Sequence, residues 1–119
     1  MSSLTVVLIA LVALLHAYFL VLEMFLWTKP SGRRAFGTTR EQAEHSKVLA
    51  MNQGLYNGFL AAGLLWSLMR GVEGRPVAIF FLSCVIVAGV FGAATASRKI
   101  LWVQALPAML ALAAVMMNR

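Results

Sequence analysis

The sequence predicts an all-α integral membrane protein, a four-helix bundle with both termini on the non-cytoplasmic side. Three observations carry that expectation. Hydrophobic residues make up 61% of the 119-residue chain and the mean hydropathy is +0.85, whereas soluble domains are about half apolar. Charged residues are 12% of the chain and fall in short clusters. Between the clusters lie four apolar segments, each close to the roughly 20 residues that a helix needs to cross a bilayer core.

The segments are placed at 4–27, 48–69, 77–95 and 100–117, as spans of one transmembrane domain over residues 1–119. The first is almost entirely apolar, with His16 and Glu23 inside it. It lacks a positively charged leading region and a cleavage site, and so reads as an uncleaved span rather than a signal peptide. Lys29, Pro30, Ser31 and Gly32 follow it as a stop signal. Thr38 and Glu41 have the spacing of a capping box, which predicts that the second helix starts near Thr39, before it enters the membrane. Gly71 and Gly74 make a tight turn, and Pro76 suits the first turn of the third helix. Ser97, Arg98 and Lys99 form the last connection, and Pro107 predicts a kink in the fourth segment.

Lys and Arg set the orientation. The first and third connections carry Lys29, Arg33, Arg34, Arg40, Lys47, Arg98 and Lys99, against Arg70, Arg75 and Arg119 on the other side. The seven-to-three bias places those two connections in the cytoplasm, as expected of a multi-pass protein of the cell (inner) membrane. Trp27 and Trp102 then mark the cytoplasmic interface, and Trp66 the opposite one. The net charge of +6 belongs to residues flanking apolar spans, where it meets anionic lipid, so nucleic acid is excluded as a partner. Cys84 is alone in an apolar run and reads as a small buried residue.

The polar residues inside the spans are the functional signal. An intramembrane carboxylate costs on the order of 2.5–3.5 kcal/mol by insertion scales, which makes Glu23 the most informative residue. His16 lies seven residues earlier, within about 20° on the same face and about 10 Å along the axis. The antiparallel second helix brings Asn52, Gln53, Tyr56 and Asn57 into the same leaflet, and Gln104 enters it from the fourth helix. Thr95 ends the third helix nearby. The other half of the bundle reads as almost purely Ala, Leu, Val, Met and Phe. Amides and hydroxyls of this kind also serve as interhelical glue, and Glu23 could instead snorkel or pair with Arg98 or Lys99. Gly54 and Gly58 have the spacing that lets helices approach closely, on the face opposite Asn52, Tyr56 and Phe59, with Gly89 and Gly92 as the expected docking surface. The spacing suits packing within the chain, and also a homo-oligomer.

Three stretches then carry a resemblance: His16-Ala17-Tyr18-Phe19, Glu23-Met24-Phe25-Leu26-Trp27, and the run from Asn52 through Gly54, Asn57 and Gly58 to Ala61. Together they resemble the small bacterial and fungal membrane proteins grouped as domain-of-unknown-function family 1304, over essentially the whole chain. The resemblance implies a four-span membrane protein and brings no activity, substrate or cofactor with it.

Three functions fit these residues. In the first, the cluster binds a small amphipathic or lipophilic ligand and acts on it, with Glu23 and His16 as candidate acid/base residues and Asn52, Gln53, Tyr56, Asn57 and Gln104 as ligand-binding residues. In the second, Glu23 is the proton-exchanging carboxylate of a small transporter. That reading lacks transporter motifs, and the non-polar outer half offers no path across. In the third, the chain is an accessory subunit whose polar cluster receives a partner helix. No HExxH, Cys/His set or Gly-rich phosphate loop is present, so neither metal nor nucleotide is expected as cofactor.

Overall fold

A computed structural model describes residues 1–117. Arg119, counted above on the non-cytoplasmic side, lies outside the described residues. All regular structure among them is helical: α1 (Ser3–Met24), α2 (Pro30–Phe36), α3 (Arg40–Met69), a 3-10 turn (Gly71–Gly74), α4 (Arg75–Thr95), a π-helical turn (Leu101–Ala105) and α5 (Leu106–Met117). The chain forms two compact units, one of Met1–Leu14 with Leu60–Arg119 and one of Leu15–Phe59.

In the first unit, four helical segments share one apolar core. Ile9, Val12 and Ala13 come from α1, Leu64 from α3, Ala78, Leu82 and Val85 from α4, and Ala108, Ala111 and Val115 from α5. Small residues set the close approaches. A Cβ on Gly89 would lie 2.8 Å from the Ala105 backbone nitrogen, and one on Gly63 would lie 2.4 Å from the Phe81 ring. Gly89 and Gly92 therefore seat on Ala105 and Ile100. Polar groups in this unit are satisfied locally. Ser2 Oγ caps α1 by accepting the Thr5 amide at 3.2 Å, Thr5 Oγ1 donates to the Ala114 carbonyl at 3.4 Å, and Ser67 Oγ donates to that of Leu64 at 2.6 Å. Thr5 and Ser67 are buried within this unit.

The turn between α3 and α4 forms as its residues dictate. Gly71 takes φ +60, a conformation open to glycine without strain, and Pro76 lies in the first turn of α4. Ahead of Pro107, the Leu106 amide bonds back to the Leu101 carbonyl, five residues away. What precedes the proline, where a kink is expected, is a π turn, which shifts the register before a residue that has no amide to donate.

The second unit contains the end of α1, the connection and the start of α3. Here the reading of Pro30 is corrected. α1 already ends at Met24, and Pro30 opens a further helix, α2, with Lys29 extended before it. Proline lacks the amide that a first helical turn leaves unused, so Pro30 starts α2 instead of stopping α1. α2 closes on Gly37, at φ +67. The capping box lies one residue on from Thr38/Glu41: the Thr39 amide donates to Gln42 Oε1 at 3.0 Å, and the Gln42 amide to Thr39 Oγ1 at 3.1 Å.

Two helical stretches are long and apolar enough to cross a membrane: Ser3–Met24 and Gly71–Thr95, each with mean hydropathy 2.6. Leu101–Met117 is apolar but shorter. α3 has the length, at 30 residues, but Asn52, Gln53 and Asn57 dilute its apolar run, and it is not among the two.

Candidate functional site

The site lies in the second unit, where α3 meets the end of α1. Its geometry starts from small residues. Along α3, Ala43, Ala50, Gly54 and Asn57 are all buried, at spacings of seven, four and three residues that keep one stripe of a helix facing a neighbour. A Cβ on Gly54 would stand 2.7 Å from Met24 Cγ, 3.1 Å from Glu23 Cβ and 3.3 Å from the Leu20 carbonyl, and one on Gly58 would stand 2.6 Å from Leu20 Cδ1. Without side chains at these two positions, α3 lies directly against the last turns of α1. The glycine pair therefore packs within the chain.

Between the two glycine contacts, Asn57 reaches Glu23. Its Nδ2 donates to Glu23 Oε1 at 2.5 Å. Glu23 is 2% exposed and Asn57 8%, so the bond is closed off from water. The ion pairs among the described residues are Lys47–Glu44 and Arg70–Glu73, and neither involves Glu23. The carboxyl also occupies the last turn of α1, which carries no basic residue. The helix dipole opposes negative charge at that end, typically by about 0.3–1 kcal/mol. Burial and the dipole therefore both act against a charge here, with Asn57 as the group that answers it.

Each of the other candidates has surroundings of its own. His16 is fully buried one unit of the stripe earlier on α1, its ring edge-on to Phe19 at 5.4 Å. Asn52, Gln53 and Tyr56 are exposed, and Tyr56 stacks edge-to-face with Phe59 at 5.7 Å. Asn52 lies about 140° around α3 from Asn57, so rotating Asn57 towards Glu23 turns Asn52 outward. Gln104 is half-buried in the π turn of the other unit. Thr95 is exposed and its hydroxyl donates to the Phe91 carbonyl at 2.7 Å, a bond within its own helix. No group of three or more His, Cys, Asp or Glu able to hold a metal ion occurs among the described residues.

What the sequence reading missed is the corner beside this site. Gly32 presses onto the end of α1, where a Cβ would come within 1.9 Å of the Leu26 carbonyl oxygen. Trp27 Nε1 donates to Ser46 Oγ at 3.0 Å, and its ring lies 4.8 Å from that of Phe36. The signal was present in Pro30 followed by Gly37, a start and a stop seven residues apart.

A family described as "Protein of unknown function (DUF1304)" matches residues 10–116, which include both partners of the buried pair. The chain is similar to a protein of Lactococcus lactis subsp. lactis (strain IL1403) described as "Uncharacterized protein YpaA". The two are 33% identical over 114 residues, covering 94% of this chain and 96% of the relative. No solved structure matches.

Proposed function

The chain belongs to the DUF1304 family, and we propose that it is a four-span protein of the cell (inner) membrane whose Glu23–Asn57 pair is the polar centre of an intramembrane ligand site. The site lies in the cytoplasmic leaflet and takes a small amphipathic or lipophilic molecule. Support for the membrane comes from the surfaces of the helices. The two most apolar stretches have only 28% and 22% of their spanning windows buried, whereas the core helix of a soluble protein is mostly buried. Leu4, Leu11 and Leu14 of α1, Leu49 and Phe59 of α3, Val87 and Phe91 of α4, and Met109 and Leu110 of α5 are all exposed. Apolar surface on every long helix suits lipid.

The observation that carries the site is the Glu23 carboxyl itself, buried at the unfavourable end of a helix and met by a neutral amide. As glue alone the pair is costly, because a carboxylate inside a span costs on the order of 2.5–3.5 kcal/mol by insertion scales, which an amide pair would not incur. As a binding group it is well placed. A carboxyl offers about four acceptor positions, and among the described residues its one hydrogen bond comes from Asn57. The others are left to a ligand that carries a hydroxyl, amine or amide on an apolar body. Glu23 then fixes the polar end of the ligand, and Asn57 fixes Glu23.

The test is the thermal stability of purified wild-type and Glu23→Gln protein in detergent, with lipids, quinones, isoprenoids, glutathione and cationic drugs added in turn. Gln keeps an acceptor for Asn57 and loses the carboxyl. One ligand class is expected to raise the midpoint of the wild type and leave that of the variant unmoved. If no class stabilises the wild type and the variant melts as high or higher, the pair is packing alone and the proposal fails.

A further inference from the structure

Lys29, Arg33, Arg34 and Arg40 stand in a stretch, from Phe25 to Arg40, that contains no acidic residue. None of the four takes part in the ion pairs of the described residues, which are Lys47–Glu44 and Arg70–Glu73. They are held on a built corner. α2 is seated on the Leu26 backbone through Gly32, pinned by the Trp27–Phe36 rings and by the Trp27–Ser46 hydrogen bond. It is closed by Gly37 in the left-handed region. The Thr38 amide then returns to the Arg33 carbonyl at 3.0 Å, bringing the two residues to the same end of α2.

At that end two buried polar atoms have no hydrogen-bond partner among the described residues, Arg33 Nε and Thr38 Oγ1. A buried guanidinium donor without an acceptor is among the more costly unmet groups in a protein. The missing partner should be an acceptor for Arg33 and should leave room for a hydroxyl donor beside it. A tetrahedral oxyanion supplies both. The guanidinium edge pairs two N–H groups with two of its oxygens, and the threonine hydroxyl reaches a third.

We propose that the α2 corner binds a phosphate group, with Arg33 as the fork, Thr38 as the second donor, and Lys29 and Arg34 raising the local positive potential. Two sources share this chemistry, the headgroup of an anionic phospholipid and free phosphate. The exposed Phe36 beside the cations is the mixture found where chains meet lipid headgroups. The site is independent of the reading given to Glu23, and the variants below leave that residue intact.

Native mass spectrometry of the full chain from uncharged detergent, in micelles doped with phosphatidylglycerol or phosphatidylcholine, tests the proposal. The wild type is expected to retain phosphatidylglycerol by roughly tenfold over phosphatidylcholine, as a charge-assisted bidentate contact implies. Arg33→Gln should abolish the preference and Arg34→Gln should keep most of it. Arg33→Lys, which keeps the charge and is less disruptive to folding, should also lose it. If inorganic phosphate instead raises the melting temperature in an Arg33-dependent way without lipid preference, the site stands and its source is soluble. Equal losses in Arg33→Gln and Arg34→Gln would overturn the proposal, because a diffuse basic surface treats them alike. So would full retention in Arg33→Lys, or the absence of both lipid preference and phosphate effect.

Discussion

Asn57 donates to the carboxyl of Glu23 across 34 residues of chain, and in doing so joins the middle of α3 to the last turn of α1. Both side chains are buried, so the bond is worth more for what its loss exposes than for its own strength. Removing the donor leaves a buried carboxyl without its amide, at a cost of about 1–3 kcal/mol. Asn57→Leu should therefore lower stability by that amount. Glu23→Gln should cost less, because an acceptor for Asn57 remains. A double-mutant cycle in chemical denaturation should show coupling between the two positions.

The glycines around this bond should tolerate alanine in a definite order. Gly58→Ala meets only the end of the Leu20 side chain, and Gly54→Ala meets the flexible Met24 and the Cβ of Glu23. Gly32→Ala meets a backbone carbonyl at 1.9 Å, which cannot turn away. Overpacking costs typically about 1–3 kcal/mol. Melting temperatures are expected to fall least for Gly58→Ala, further for Gly54→Ala and most for Gly32→Ala.

The register of the α3 cap can be read by exchange. Thr39→Ala removes the acceptor of the Gln42 amide and should weaken the first turn by about 1 kcal/mol. Hydrogen exchange at residues 40–43 should quicken accordingly. Thr38→Ala should leave the same amides unchanged, because Thr38 is not in the box.

The number of spans has a direct test. In a protein whose Cys84 is replaced by alanine, single cysteines at the exposed Ala35 and Val72 report the two ends of α3. With α3 as a span, a membrane-impermeant thiol reagent should reach Ala35→Cys from the cytoplasm and Val72→Cys from the opposite face. Labelling of both from one side would reduce the chain to fewer crossings.

Much of this was legible in the residues. Long apolar stretches specify helices, Gly71 and Pro76 mark a turn and a start, and Glu23 is visible as a charge out of place. What could not be read was which of three amides and one phenol would meet it. Each residue turns a helix by about 100°, so Asn52 and Tyr56 share one face and Gln53 and Asn57 another, and only the packing of Gly54 and Gly58 on Leu20 and Met24 selects Asn57. α2 was hidden for a different reason. Seven residues are too few to form a helix by propensity, and the element exists because Gly32 and Trp27 hold it against its neighbours. The capping box slipped by one because Thr38 and Thr39 are adjacent, as are Glu41 and Gln42, and either pair satisfies the spacing.

Whether Glu23 is a binding group or a sealed strut can be measured by its reaction with a lipophilic carbodiimide in bilayers, mapped by mass spectrometry. A ligand-site carboxyl is reached from the membrane. Glu23 should be modified in the wild type, Glu23→Gln should lose the adduct, and the ligand class that stabilises the protein should protect it. If Glu23 stays unmodified in the folded protein and reacts only on unfolding, nothing in the membrane reaches the carboxyl, and the claim of an intramembrane site is contradicted.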